Sequence, residues 1–165
     1  MSAVPPLHFA YEHRVPGSNE LVCYFSMLSP EALKVKHGLR TEAILGRAKD
    51  KSQPVDAANF EPNPAFLQFL HWVMAKHAAG CPGLVAAAKR QGVGHVYIFD
   101  GRAPASGAVP PEDVIGAVEV RGGAIVRYRS ATDYRILTQH GFPRLDDYFR
   151  PKLLAELLAL PAVPA

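Results

Sequence analysis

Residues 114–129, VIGAVEVRGGAIVRYR, constrain the fold of this chain more than any other stretch. Two runs rich in β-branched residues are joined by Gly122-Gly123, and a two-residue connection whose members take positive φ is the mark of a tight antiparallel hairpin. Val114, Val118 and Val120 fall on one strand face at the period of two. Upstream, helical patterns precede consecutive strands instead of alternating with them, which favours an α+β fold over a doubly wound sheet. The expected architecture is a mainly antiparallel sheet, with its hairpin near 114–129, packed with several short helices.

The other elements follow from period and punctuation. LVCYFSML (21–28) reads as a strand that stops at Ser29-Pro30. A short helix follows, with Ser29 as N-cap, Pro30 in the first position and Gly38 as the stop. TEAILGRAKD (41–50) reads as a second short helix and KSQPVDAANFEPNP as loop. Phe66, Phe69, Leu70, Val73, Met74 and His77 recur at three- and four-residue spacing behind Asn63-Pro64, the clearest helix in the chain. PGLVAAAKRQG (82–92) predicts a further short helix closed by Gly92. HVYIFD (95–100) is a continuous apolar run bounded by glycines, which predicts a central, well-buried strand with Asp100 at its carboxyl end. DYRILTQHG is left between strand and helical turn, and RPKLLAELLAL (150–160) predicts a closing helix with Leu153, Leu154, Leu157 and Leu158 as its apolar stripe.

A length of 165 residues with 48% hydrophobic and 20% charged residues suits a single folded domain, with proline-rich ends at 1–6 and 161–165 expected to fray. The net charge of +3 is mildly basic. From Lys34 to Lys51 six basic residues stand against Glu42 and Asp50, and no aromatic residue lies between them to stack bases, so this run carries no strong nucleic-acid signal. Trp72, opposite the apolar stripe of its helix, is a candidate partner contact. Cys23 and Cys81 form no CxxC and indicate neither a disulfide scaffold nor a cysteine zinc site. The N-terminus has no signal-peptide pattern and no apolar run reaches membrane-spanning length, so the expected location is the cytoplasm, with signal-independent export left open.

Several chemistries lack their motifs. Gly92-Val93-Gly94 precedes a strand and so cannot offer helix amides to a pyrophosphate. There is no phosphate loop of the Walker type and no G-x-S-x-G elbow. His71 and His77 lie about 240° apart around a helix and cannot share a metal from it. No metal site is indicated.

Val109-Pro110-Pro111-Glu112-Asp113 stands directly before the hairpin. Two prolines make a stiff extended approach and Pro-Glu-Asp suits a tight turn, which makes Glu112 and Asp113 turn residues. The series HVYIFD, GAVPPEDVIGAVEVRGGAIV and DYR resembles the C-terminal half of mono-ADP-ribosyltransferase toxins of the cholera and pertussis type, over residues 94–135. In those toxins a Y-V-Y strand, a G-G-I-P-P-E-x-I-x-G elbow, a strand, a glycine turn and an Asn-x-x-Tyr-Arg segment follow in this order. CYFSMLSPEALKVKHGL is fainter in its likeness to their first strand and Pro-Pro-Glu helix.

The resemblance implies NAD as substrate and a carboxylate that stabilises an oxocarbenium-like ribose. The family's arginine on the first strand falls on Tyr24, its catalytic glutamate on Arg102, and its Ser-Thr-Ser strand on AGCPG. The first acid of its Glu-x-Glu falls on Asp100. An active relative would therefore use Asp100 as the catalytic carboxylate, with Tyr24 and Arg102 holding the dinucleotide. The other reading is a relative without catalysis that binds a protein partner, through the basic 34–51 region or the Arg127/Arg129 strand face.

Overall fold

The computed structural model describes residues 8–104 and 107–163. In chain order these form β1 (Phe9–Arg14), β2 (Leu21–Ser26), α1 (Pro30–Lys36), β3 (Ile44–Ala48), β4 (Phe60–Pro62), α2 (Pro64–His77), α3 (Pro82–Gln91), β5 (Gly94–Phe99), β6 (Val114–Arg121), β7 (Ala124–Ser130) and α4 (Phe149–Ala159). The strands make two antiparallel sheets, β1-β2-β3-β4 and β5-β6-β7, and the fold is α+β. The described residues divide into two compact units, one of 8–68, 136–142 and 154–163, the other of 69–104, 107–135 and 143–153.

In the first unit the strand at 21–26 and the helix after it form as their residues dictate. Ser29 accepts a hydrogen bond from the Ala32 amide at 3.3 Å and Pro30 opens α1. The left-handed turn that ends α1 begins one residue before the glycine, at His37 (φ 59°), and Gly38 follows at φ 125°. The expected helix at 41–50 is instead a single 3-10 turn, Thr41–Ala43, followed by β3. Gly46 explains this in part: Phe60 and Glu61 of β4 come so close that a Cβ there would strike the Phe60 ring and the Glu61 carbonyl, so the glycine allows strand pairing where a helix former would not. The 51–64 stretch, read as loop, contains β4 as a three-residue edge strand ending at Pro62.

β1 was not expected. Half of its residues are Glu12, His13 and Arg14 and four of the six are exposed, so its alternation is confined to Phe9 and Tyr11; six ladder pairs with β2 hold it. Residues 160–163 hydrogen-bond back to α1 and the segment that follows it. Val163 N–H donates to Lys36 O at 2.9 Å, Lys36 Nζ to Leu160 O at 3.0 Å and an Arg40 guanidinium nitrogen to Pro161 O at 3.3 Å. The expectation of frayed ends at residues 1–6 and 164–165 lies outside the described residues.

Asn63 caps α2 from both sides of its amide. Its Oδ1 accepts from Ala65 N at 3.2 Å, and its Nδ2 donates to the carbonyls of Thr41 and Ile44, each at 2.7 Å. Asn63→Ala removes the cap and orphans those carbonyls, and the expected loss is about 1–2 kcal/mol in a urea denaturation. Phe66, Leu70, Val73 and Met74 are fully buried, as their spacing requires, and Trp72 is exposed with Lys76 Nζ 4.9 Å from its ring centroid.

The second unit carries the hairpin. Gly122 (φ 56°) and Gly123 (φ 74°) both occupy the left-handed region, and Arg121 pairs with Ala124 across them. The central strand is β6, not β5. β5 is an edge strand, and the unbroken apolar run at 95–99 conceals an alternation: Ile98 is buried, whereas Tyr97 and Phe99 are 57% and 47% exposed. α3 ends at Gly92 (φ 80°), whose carbonyl accepts from Gly123 N at 2.9 Å and ties the helix end to the hairpin turn. Residues 131–141 form neither strand nor helix but bends with a single bridge between Thr138 and Gly141. In α4 the buried stripe is narrower than expected: Phe149, Leu153 and Leu157 are buried, while Leu158 is exposed. Among the described residues no helix is long and apolar enough to cross a membrane.

Candidate functional site

The elbow before β6 is built as its prolines require. Pro110 is extended (φ −61°, ψ 147°), Pro111–Asp113 make one 3-10 turn, and the strand starts at Val114. Asp113, however, is more than a turn residue. It is completely buried, and its Oδ1 accepts from Arg102 Nε at 2.7 Å. The two acids that precede the hairpin thus divide their work: Asp113 supplies a buried counter-charge, and Glu112 offers its backbone carbonyl to an Arg102 guanidinium nitrogen at 3.2 Å. Another bond from that nitrogen reaches Arg135 O.

Asp100 and Arg102 meet in the same cluster. Arg102 Nε lies 3.8 Å from Asp100 Oδ1, and the two side chains are 2% and 0% exposed. Asp100 accepts the Tyr134 hydroxyl at 2.8 Å, the Arg102 amide at 3.0 Å and the Arg144 amide at 3.1 and 3.2 Å to its two oxygens. The Arg102 guanidinium also lies 5.3 Å from the Tyr134 ring centroid. Three stretches that carry the family resemblance, at 98–102, 110–114 and 133–135, therefore converge on one buried cluster of two carboxylates, a guanidinium and a phenol.

Burial pushes the Asp100 carboxyl above its ordinary value, against the Arg102 charge and the hydrogen bonds from Tyr134, Arg144 and Arg102 that favour ionisation. Burial and the Asp100 charge likewise raise the Tyr134 phenol well above its usual range. Both oxygens of Asp100 are engaged and its side chain is closed to solvent, an arrangement suited to holding loops together rather than to receiving a ribose. Asp113 and Tyr134 are not legible as partners, because a buried acid and a turn acid look alike in sequence.

Tyr24 lies in the other unit. It sits on β2, paired in register with Tyr11 on one side and Arg47 on the other, beside a cavity of about 330 Å³ lined also by Asn63 and Glu61. Arg47 donates to Glu61 at 2.9 Å. Cys81 is buried and Cys23 half-buried, both free thiols. Among the described residues no three His, Cys, Asp or Glu side chains gather as metal ligands.

A different surface is open. On the solvent face of the β5-β6-β7 sheet, odd-numbered positions align in rows across the strands: Tyr97, Ala117 and Arg129 in one, His95, Glu119 and Arg127 in the next. Glu119 gathers the cations, with Arg121 and Arg127 nitrogens each 2.8 Å and an Arg129 nitrogen 3.7 Å from its oxygens. Burial would raise its carboxyl, but the Arg121 hydrogen bond and the charges of Arg127, Arg121 and Arg129 outweigh that and hold it below the ordinary value. Both arginines of β7 remain 56% exposed. No protein-family model, curated protein or solved structure matches the chain.

Proposed function

We propose that this chain is a binding module that works through the Arg127/Arg129 face of its three-stranded sheet, with Asp100 and Arg102 serving the architecture. The observation that carries this reading is the occupancy of Asp100, whose two oxygens are taken by the Tyr134 hydroxyl and the Arg102 and Arg144 amides within a buried cluster. A carboxylate that stabilises a developing oxocarbenium must reach the sugar, and a group already saturated by the protein would have to break those bonds first. The open sheet face, in contrast, presents arginines whose charge is only partly answered by Glu119.

The enzymatic reading, an ADP-ribosyltransferase-like domain with NAD as substrate, draws support from one place. Arg47 stands in register beside Tyr24 at the 330 Å³ cavity, where a cation next to a phenol would suit a dinucleotide phosphate and ring. One assay separates the two. Purified protein is incubated with NAD and free nicotinamide is measured by chromatography, with Asp100→Asn and Tyr24→Ala beside it. The binding reading expects no release above a protein-free control from any of them. Release by the wild-type chain that is lost in Asp100→Asn would establish the enzymatic reading instead.

A further inference from the structure

We infer that the open face of the β5-β6-β7 sheet is a platform for single-stranded nucleic acid, with bases on Tyr97 and Phe99 and phosphates on Arg127 and Arg129. The inference rests on the binding reading above and names its partner. His95, Tyr97 and Phe99 occupy alternate positions of β5, so all three rings project from one face. Tyr97 and Phe99 lie 6.3 Å apart between centroids with their planes inclined by only 24°, and about half of each remains open to solvent. Two large aromatic rings on the outward face of an edge strand keep apolar surface in contact with water that no core packing removes.

Their neighbours give that exposure a reason. The floor beside them is low, with Ala117 between Tyr97 and Arg129, and a shallow cavity of about 220 Å³ lies there. Across two strand spacings, about 10 Å, one row sets the Tyr97 ring against Arg129 and the next sets the His95 ring against Arg127, while Phe99 lies beside Tyr97 and outside both rows. One nucleotide can then place its base on the ring and its phosphate on the arginine. Arg121, Arg127 and Arg129 against Glu119 leave a surplus of two positive charges, which complements a polyanion. Glu119, 2.8 Å from Arg127 and 3.7 Å from Arg129, also draws the two guanidinium groups to the same part of the face. Arginines alone would serve an acidic peptide equally well; the aligned aromatic rings would not contribute to one. Stacking on open rings requires unpaired bases, so a duplex is excluded from this mode.

The test is fluorescence anisotropy with a labelled oligothymidylate of about 12 nucleotides, titrated with the full chain at several salt concentrations. The same titration is run with a duplex of matching length and with polyglutamate. Binding to the single strand is expected, weakening with salt. Tyr97→Ala/Phe99→Ala should weaken it at least about tenfold. Arg127→Ala/Arg129→Ala should flatten the log–log salt dependence by about 1.4, the share of two phosphate contacts on a single strand. Circular dichroism accompanies each variant, and Tyr97→Leu/Phe99→Leu, which keeps apolar cover without a π-face, stands in if the alanine pair unfolds.

No binding, equal binding to duplex or polyglutamate, or full affinity in a folded ring variant each overturns the inference. Nicotinamide release would end the non-catalytic reading without touching the oligonucleotide result. Failure to bind oligonucleotide in a chain that releases no nicotinamide would end this inference alone.

Discussion

Arg102→Met lowers stability by about 3–5 kcal/mol, because it leaves Asp100 and Asp113 buried with their cation gone. For a chain of this length that corresponds to a thermal midpoint lower by roughly 10 °C. Methionine keeps much of the volume, so the loss is electrostatic and not a cavity. It also removes the bonds that tie the guanidinium to Glu112 O and Arg135 O, so the elbow and the 133–135 segment lose their common anchor. Asp113→Asn should be costly as well, since Asp113 is the carboxylate in direct contact, 2.7 Å from Arg102 Nε.

Asp100→Asn is expected to behave differently, within about 1 kcal/mol of wild type near neutral pH. The cluster holds two carboxylates around one guanidinium, and Asp100 is the more distant at 3.8 Å. Asparagine keeps an oxygen for the Arg102 and Arg144 amides, and the Tyr134 hydroxyl can turn to accept from its amide. The pH dependence follows from the raised Asp100 carboxyl. A folded-state value above the unfolded one means the folded protein takes up the proton more readily, so a penalty present near neutral pH is relieved as the pH falls through the folded value toward 3.8. Wild type should therefore gain on Asp100→Asn across that acid window in paired urea denaturations. An asparagine variant as unstable as Arg102→Met at neutral pH would show instead that the Asp100 charge is indispensable to the cluster.

What the sequence disclosed depended on whether a pattern was local. The hairpin, both proline-started helices after Ser29 and Cys81, and the Asn63-Pro64 helix start were readable because caps, prolines and glycines act on their immediate neighbours. β3 is not legible in its own residues because its neighbour decides it: ILGRA alone has no strong period, and Gly46 matters only through Phe60 and Glu61. The apolar run of β5 suggests burial on both sides because composition does not report which face of an edge strand is covered. The site divides in the same way. Asp100 and Arg102 could be singled out, and they do meet, but their partners Asp113, Tyr134 and the Arg144 amide lie up to 44 residues away in sequence. That distance hides the difference between an open carboxylate and a saturated one.

Gly116 is the second position where a small change should have a large effect. It lies in the middle of the central strand, paired with Ile98 and Ser130, and the Tyr128 hydroxyl rests over it. A Cβ would strike that hydroxyl and come within 2.6 Å of Arg129 O. The phenol has little room to retreat, since its oxygen is 2.8 Å from His71 Nδ1, and burial raises its own proton affinity while lowering that of His71. Gly116→Ala is therefore expected to cost about 3 kcal/mol, at the upper end for overpacking, because backbone as well as side chain must yield. A double-mutant cycle separates the two contributions. In the Tyr128→Phe background the hydroxyl is absent, and Gly116→Ala should cost at least about 1 kcal/mol less. The remaining cost is shared by the ring of residue 128, whose edge carbon would also stand 2.6 Å from the new Cβ, and by Arg129 O on β7, the strand that carries both arginines of the open face. An equal cost in both backgrounds would assign the whole effect to the ring edge and the strand and none to the hydroxyl.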